Sequence, residues 1–185
     1  MTDVNQPNRR QYYRIQDQVG LEFQRLSQDE DIRDLFEDRV TLGLHQELRR
    51  IDQDVRQQLA ALADRDRNLA FLIKSLNHKI DTLARIMAFE QKPLQPEQWH
   101  RVTLSEGGVA FDAGDETLAP GDRLALRLTL MPELQRILLQ GEVVEIVNDS
   151  GQPQVHVSFL GLSDSDRQAI ARHVIRAQAR QRQDS

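Results

Sequence analysis

Three of the chain's cations fall within one short segment, Arg9-Arg10-Gln11-Tyr12-Tyr13-Arg14. A guanidinium offers a planar fork of donors that matches phosphate oxygens or the O6/N7 edge of guanine, and its flat face can stack on a base. Set in a 185-residue protein of net charge −5, the segment is a concentrated site for an anion; on its own it would also suit a solvated basic tail. A second polar cluster is Val102-Thr103-Leu104-Ser105-Glu106-Gly107-Gly108-Val109. Ser105 can donate and accept a hydrogen bond, and Gly107 and Gly108 would let a ligand approach the backbone closely. The plain alternative is a hairpin turn with ordinary turn residues.

Other chemistries leave no mark. The absence of cysteine excludes disulfides, thiolate metal sites and Cys nucleophiles, and suits a reducing cytosol. His45, His78, His100, His156 and His173 are scattered without metal-ligand spacing. Phosphate-binding loops, dinucleotide fingerprints and nucleophile elbows are missing. Asp64 and Asp66 stand one residue apart on a helical stretch and point in different directions, so they form no acid/base pair. Ser105 has no evident base. The expectation is a binding protein with no catalytic residues, no metal and no cofactor. The acidic balance and an aromatic content of 5% argue against nucleic acid as partner. Met1 is followed by polar residues, and apolar runs are too short to span a bilayer, so a cytoplasmic protein is expected.

The elements that would hold these clusters fall into three textures. Residues 1–8 lack periodicity and are expected to be disordered. Residues 11–26 place Tyr13, Ile15, Val19, Leu21 and Phe23 on odd positions, the period of a half-buried strand, with Gln16-Asp17-Gln18 as a candidate bend. Ser27 with Glu30 forms a capping-box pattern. From there to Glu90 there is no proline and only one glycine, Gly43. The expectation is a short helix over 29–41, a break near Gly43, and a long helix over 44–90. Its apolar seam runs Leu44, Leu48, Ile51, Val55, Leu59, Leu62, then Leu69, Ile73, Leu76, Ile80, Leu83 and Met87, with heptad spacing in the second half and Asp66 at a missing seam position. Such a helix would extend roughly 65 Å and outrun the chain's own barrel. An intermolecular coiled coil is therefore favoured over packing on the protein's own sheet.

Pro93 and Pro96 end the helical stretch. Trp99–Leu104, Val109–Asp112, Arg123–Leu130, Ile137–Val147 and Gln154–Leu160 then read as strands, punctuated by Gly107-Gly108, Ala119-Pro120-Gly121-Asp122 and Asn148-Asp149-Ser150-Gly151. Ser163-Asp164-Ser165-Asp166 caps a final helix to about Arg180, with Ile170, Val174 and Ala177 on one face and Arg172, Arg176 and Arg180 on another. Residues 11–26 cannot form a sheet alone and must pair with strands after residue 97. The fold class is α+β: a small antiparallel barrel interrupted after its first strand by helices.

In this order the clusters resemble the PilZ domain family, bacterial receptor modules for cyclic di-GMP. Arg10-Gln11-Tyr12-Tyr13-Arg14 matches the family's R-x-x-x-R element, with Arg9 as an extra cation. Thr103-Leu104-Ser105-Glu106-Gly107-Gly108 matches its [D/N]-x-S-x-x-G element at Ser105 and Gly108, with Thr103 where the family has Asp or Asn. The segment Val157–Arg167 leading into Ile170–Val174 also resembles the way such domains close the barrel and enter the last helix. The likeness covers about 9–26 and 97–182. The 27–92 insertion, with Leu76-Asn77-His78-Lys79-Ile80-Asp81, is similar to a branch whose helices drive assembly as tetramers.

The resemblance implies that Arg10 and Arg14, with Arg9, clamp the phosphates and one guanine of cyclic di-GMP, while Thr103, Ser105, Gly107 and Gly108 border another. It implies a homo-oligomer, tetramer over dimer, acting on a protein effector that the sequence does not name. Threonine offers one hydroxyl where Asp or Asn offers a polar head, a loss on the order of 1–3 kcal/mol. The alternative is an oligomeric scaffold whose barrel no longer binds nucleotide.

Overall fold

The computed structural model describes residues 13–27, 30–36, 39–149 and 152–183. Arg9, Arg10 and the tail expected to be disordered lie outside them, as do Ser150 and Gly151 of one expected turn. In chain order the elements are β1 (Ile15–Arg25), α1 (Ile32–Phe36), α2 (Arg39–Ala63), α3 (Arg67–Gln91), a 3-10 turn (Pro96–Gln98), β2 (Trp99–Ser105), β3 (Gly108–Asp112), β4 (Arg123–Leu130), β5 (Gln135–Asp149), β6 (Gln152–Leu160) and α4 (Asp164–Gln183).

The six strands close into an antiparallel barrel in the order β1-β2-β3-β6-β5-β4. Closure depends on β1, which pairs with β2 through residues 15–20 and with β4 through residues 20–25. This bears out the requirement that the N-terminal strand find partners beyond the helices. It runs unbroken through Gln16-Asp17-Gln18, where a bend was expected. Alternation fills the interior: Ile15, Val19 and Leu21 from β1, Val102 and Leu104 from β2, Phe111 from β3, and Leu124, Leu126, Leu128 and Leu130 from β4 are all buried. Phe23 packs on Phe111 with ring centroids 5.0 Å apart. Outward-facing Ala125 and Thr129 of β4 are buried as well, so this strand is covered on both faces. α1 lies against β4 and β5. Arg127 ties it down by donating to Phe36 O (3.2 Å), with its guanidinium 4.9 Å from the Phe36 ring centroid and its other nitrogen paired with Glu22. At Ala119-Pro120-Gly121-Asp122, Asp122 N donates to Ala119 O (3.0 Å), and Gly121 takes the positive φ of 93° that this turn requires.

The helical insertion differs from expectation. Gly43 lies inside α2 and breaks nothing; the break falls at Asp64-Arg65-Asp66. Asp66 is the N-cap of α3, its carboxylate accepting from Leu69 N (3.0 Å). The polar residue that interrupts the apolar seam is thus the start of a new helix, because a short carboxylate satisfies orphan amides better than a solvated face would. The single 65 Å helix becomes two 25-residue helices of about 37 Å each, packed on one another as a hairpin.

The hairpin presents its faces in an unusual way. On α2, Asp52, Val55, Leu59 and Leu62 are half-buried; on α3, only Ala70 is buried, and Asn77, Asp81 and Arg85 are half-buried. The groove between the helices is lined by Val55, Leu59, Ala63, Ala70, Lys74 and Asp81, among others. The heptad stripe of α3 faces away: Leu69, Ile73, Leu76, Ile80, Leu83 and Met87 are exposed, Ile80 to 63%, and so is Leu72 beside them. The polar side of α3 turns toward its neighbour, and the apolar side toward solvent. None of the helices in the described residues is long and apolar enough to cross a membrane.

Candidate functional site

The β1–β2 register sets the site. Ile15 pairs with Leu104, Gln16 with Thr103 and Asp17 with Val102. Since Val102 and Leu104 point into the core, Thr103 and Ser105 point outward. Arg14 immediately precedes β1, so continuing the register brings it level with Ser105. Across β2, Thr103 pairs with Ala110 and Ser105 with Gly108; beyond them Ala110 pairs with His156 and Gly108 with Ser158. One outer face of the barrel therefore gathers Arg14, Thr103, Ser105 and Gly108 from segments some ninety residues apart. Arg9 and Arg10 belong just upstream of that face in the chain but lie outside the described residues.

The serine–glycine hairpin is built tightly. Ser105 Oγ donates to Gly108 O (3.2 Å), bracing the two-residue turn Glu106-Gly107, and Gly107 O accepts from Phe159 N (2.9 Å). Arg167 Nη1 lies 3.7 Å from Glu106 Oε1, linking the turn to the start of α4. What approaches Gly108 closely is β6: a Cβ there would stand 2.4 Å from Val157 O. The Gly108→Ala variant should therefore lose about 1–3 kcal/mol of stability through overpacking, seen as a lower urea midpoint with or without ligand. An unchanged midpoint would show that β6 shifts freely.

Below this face, α4 covers the barrel where β1 and β2 run. Ala169, Ile170, Val174 and Ala177 join the core, and Ser163 Oγ caps the helix by accepting from Asp166 N (3.1 Å), as the sequence led us to expect. The sequence did not single out His173. It is 4% exposed, and its Nε2 donates to Asp17 Oδ2 at 2.6 Å. Burial pushes the Asp17 carboxyl upward, but the bonds from His173 and Gln18 N, with the positive charges of His173 and Arg180, outweigh it and hold the group below the usual range. Glu133 behaves likewise: burial is outweighed by its own N–H and by Arg176, with which it pairs, and His173 adds to the effect. Gln181 Nε2 donates to Gln16 O (2.6 Å). The signal for His173 was present, since it shares the helical face of Ile170 and Ala177; only tertiary packing supplies Asp17.

The outer face can thus present guanidinium, hydroxyl and backbone groups to an anionic, base-bearing ligand. Among the described residues, no cluster of His, Cys, Asp or Glu could hold a metal ion.

Comparisons with known proteins agree with this architecture. No curated protein gives a significant sequence match. In fold, the chain is similar to a tetrameric PilZ domain from Xanthomonas campestris, self-assembled via a helical bundle, with a TM-score of 0.55 and 16% identity over 93% of this chain and 91% of that one. Smaller overlaps occur with the Bacillus subtilis inhibitor of motility MotI/DgrA (TM-score 0.40, 26% identity, 46% of this chain and 44% of that one) and with Escherichia coli YcgR in complex with c-di-GMP (TM-score 0.41, 17% identity, 49% and 41%). The model of the PilZ domain matches residues 71–176, from within α3 through all of β2–β6 and most of α4. A closed six-strand barrel, a closing helix and a family match over more than half the chain lead to one conclusion: this protein belongs to the PilZ domain family.

Proposed function

We propose that the protein is an oligomeric cyclic di-GMP receptor or adaptor, binding the dinucleotide on the outer face of β1–β3 and assembling through α3. The observation that carries the ligand reading is the β1–β2–β3 register, which pairs Gln16 with Thr103 and Ser105 with Gly108, so that Arg14, the last residue of an intact Arg10-x-x-x-Arg14 element, enters β1 beside the face of Thr103, Ser105 and Gly108. In this reading Arg10 and Arg14, with Arg9, neutralise the two phosphates and donate hydrogen bonds to one guanine edge. Thr103, Ser105, Gly107 and Gly108 border the second base.

Assembly is supported by the outward apolar stripe of α3, too large and continuous for a solvated helix. It is supported also by the fold likeness to the Xanthomonas protein, which is a tetramer built through a helical bundle. A tetramer is accordingly favoured over a dimer, with a protein effector as the further partner.

A second reading, an oligomeric scaffold without nucleotide, draws on Thr103, whose one hydroxyl replaces a two-atom polar head. Calorimetric titration with cyclic di-GMP, with GTP as control, separates the two. We expect saturable binding for cyclic di-GMP alone, and its loss by 100-fold or more, on the order of 3 kcal/mol for two charge-assisted contacts, in the Arg10→Ala, Arg14→Ala double variant. Absence of heat in the wild type, with no thermal shift, would leave the scaffold reading.

A further inference from the structure

The outer face carries a residue outside both motif elements. Gln16 stands directly opposite Thr103 across β1–β2, so the two α-carbons are about 5 Å apart. Strand alternation sends Ile15 and Val19 inward and leaves Gln16 exposed on the solvent side. Its main chain is held from the other side: Gln181 of α4 donates to its carbonyl, and the next residue, Asp17, is bonded to buried His173, each at 2.6 Å. The backbone is pinned while the side chain is available.

The chemistry of that side chain complements what Thr103 lacks. A carboxamide carries an acceptor and two donors on one planar head. The Watson–Crick edge of guanine sets the O6 acceptor beside the N1–H donor, so a carboxamide meets it with two parallel bonds, one given and one received. A threonine hydroxyl makes one such bond and has a shorter reach. The other carboxamides of this strand face lie farther from Arg14 and Ser105: Gln18 one row away, opposite Arg101, and Gln24 near the far end of the strand, opposite Ala125 of β4. Resting on the cyclic di-GMP reading above, we infer that Gln16 makes the paired hydrogen bonds to a guanine edge that Thr103 cannot, so that base recognition has moved from β2 to its neighbour on β1.

A double-mutant cycle tests this with the full chain and cyclic di-GMP as the titrant. Gln16→Ala should weaken binding by about 5- to 150-fold, the worth of one bidentate base contact, with the melting temperature of the free protein unchanged, because the Gln181 bond goes to the main chain. Thr103→Asp should improve wild-type affinity little, yet restore most of what Gln16→Ala loses, since the carboxylate can then accept from the same guanine edge. The inference is overturned if Gln16→Ala titrates like a binding wild type, or if its loss is not recovered by Thr103→Asp. A wild type that does not bind at all overturns the receptor reading as well, so the two failures are told apart by the wild-type titration.

Discussion

Under the proposed assembly through α3, the double substitution Leu76→Glu with Ile80→Glu is expected to give monomers whose barrel stays folded. Leu76 and Ile80 sit at the middle of the α3 stripe, with Leu69, Leu72 and Ile73 before them and Leu83 and Met87 after, and both are more than half exposed in the single chain. Neither touches the barrel core, which is drawn from β1–β6 and α4. Burying one such side chain at an interface contributes about 1.5–3 kcal/mol, and each chain of a symmetric assembly would use the same pair. Two buried carboxylates would remove that contribution and add a desolvation penalty of several kcal/mol per charge. Light scattering after gel filtration reads the outcome. Monomers with a wild-type barrel melting transition would support assembly through α3, whereas an unchanged oligomer, or a wild type that is already monomeric, would refute it. The matching control is Asp81→Ala on the face turned toward α2, which should leave the oligomer intact.

Asp17→Ala is expected to lower stability by about 2 kcal/mol, because it leaves the buried His173 ring without its acceptor. In a chain of this length that corresponds to a fall of roughly 4–8 °C in Tm. The pH dependence has a definite sign. Asp17 is held below its usual range in the folded state, so the unfolded chain takes up its proton first as pH falls. The stabilisation is complete above about pH 4, the unfolded value, and is lost as pH drops below that toward the folded value. The neutral variant Asp17→Asn should therefore be less stable than wild type at pH 7, with the gap narrowing in acid. Glu133, lowered by its own N–H and by Arg176, acts in the same direction, so the comparison is best made in a Glu133→Gln background. Thermal melts between pH 3 and pH 7 would decide: a gap independent of pH would mean that Asp17 contributes shape and not charge. The consequence reaches the candidate ligand face, since Asp17 follows Gln16 and α4 grips both residues.

Much of this protein was legible in its residues, for identifiable reasons. Strand alternation in Leu124–Leu130, the turn at Ala119–Asp122 and the serine cap at Ser163 are local signals, and each governs a local structure that does not depend on distant partners. The order of the two polar clusters pointed to the family, and the need of residues 11–26 for partners followed from the instability of an isolated hairpin. The seam of Leu69–Met87 was correctly read as one face of a helix, because a period of 3.5 is a property of the chain alone.

What the tertiary structure decided were questions of pairing and side. Asp66 could be a flaw in one long helix or the cap between two; only the packing of α2 on α3 selects the second. The heptad stripe could face α2 or solvent, and the half-burial of Asn77, Asp81 and Arg85 selects solvent. The glycine at 108 could serve a ligand or the barrel, and the Val157 carbonyl beside it identifies at least the second role. Gln16 and Asp17 looked like a bend, yet register against β2 sends one out beside Thr103 and the other in toward His173, 156 residues away. Periodicity fixes which residues share a face; which face meets which partner depends on contacts far apart in sequence, and no local pattern encodes them.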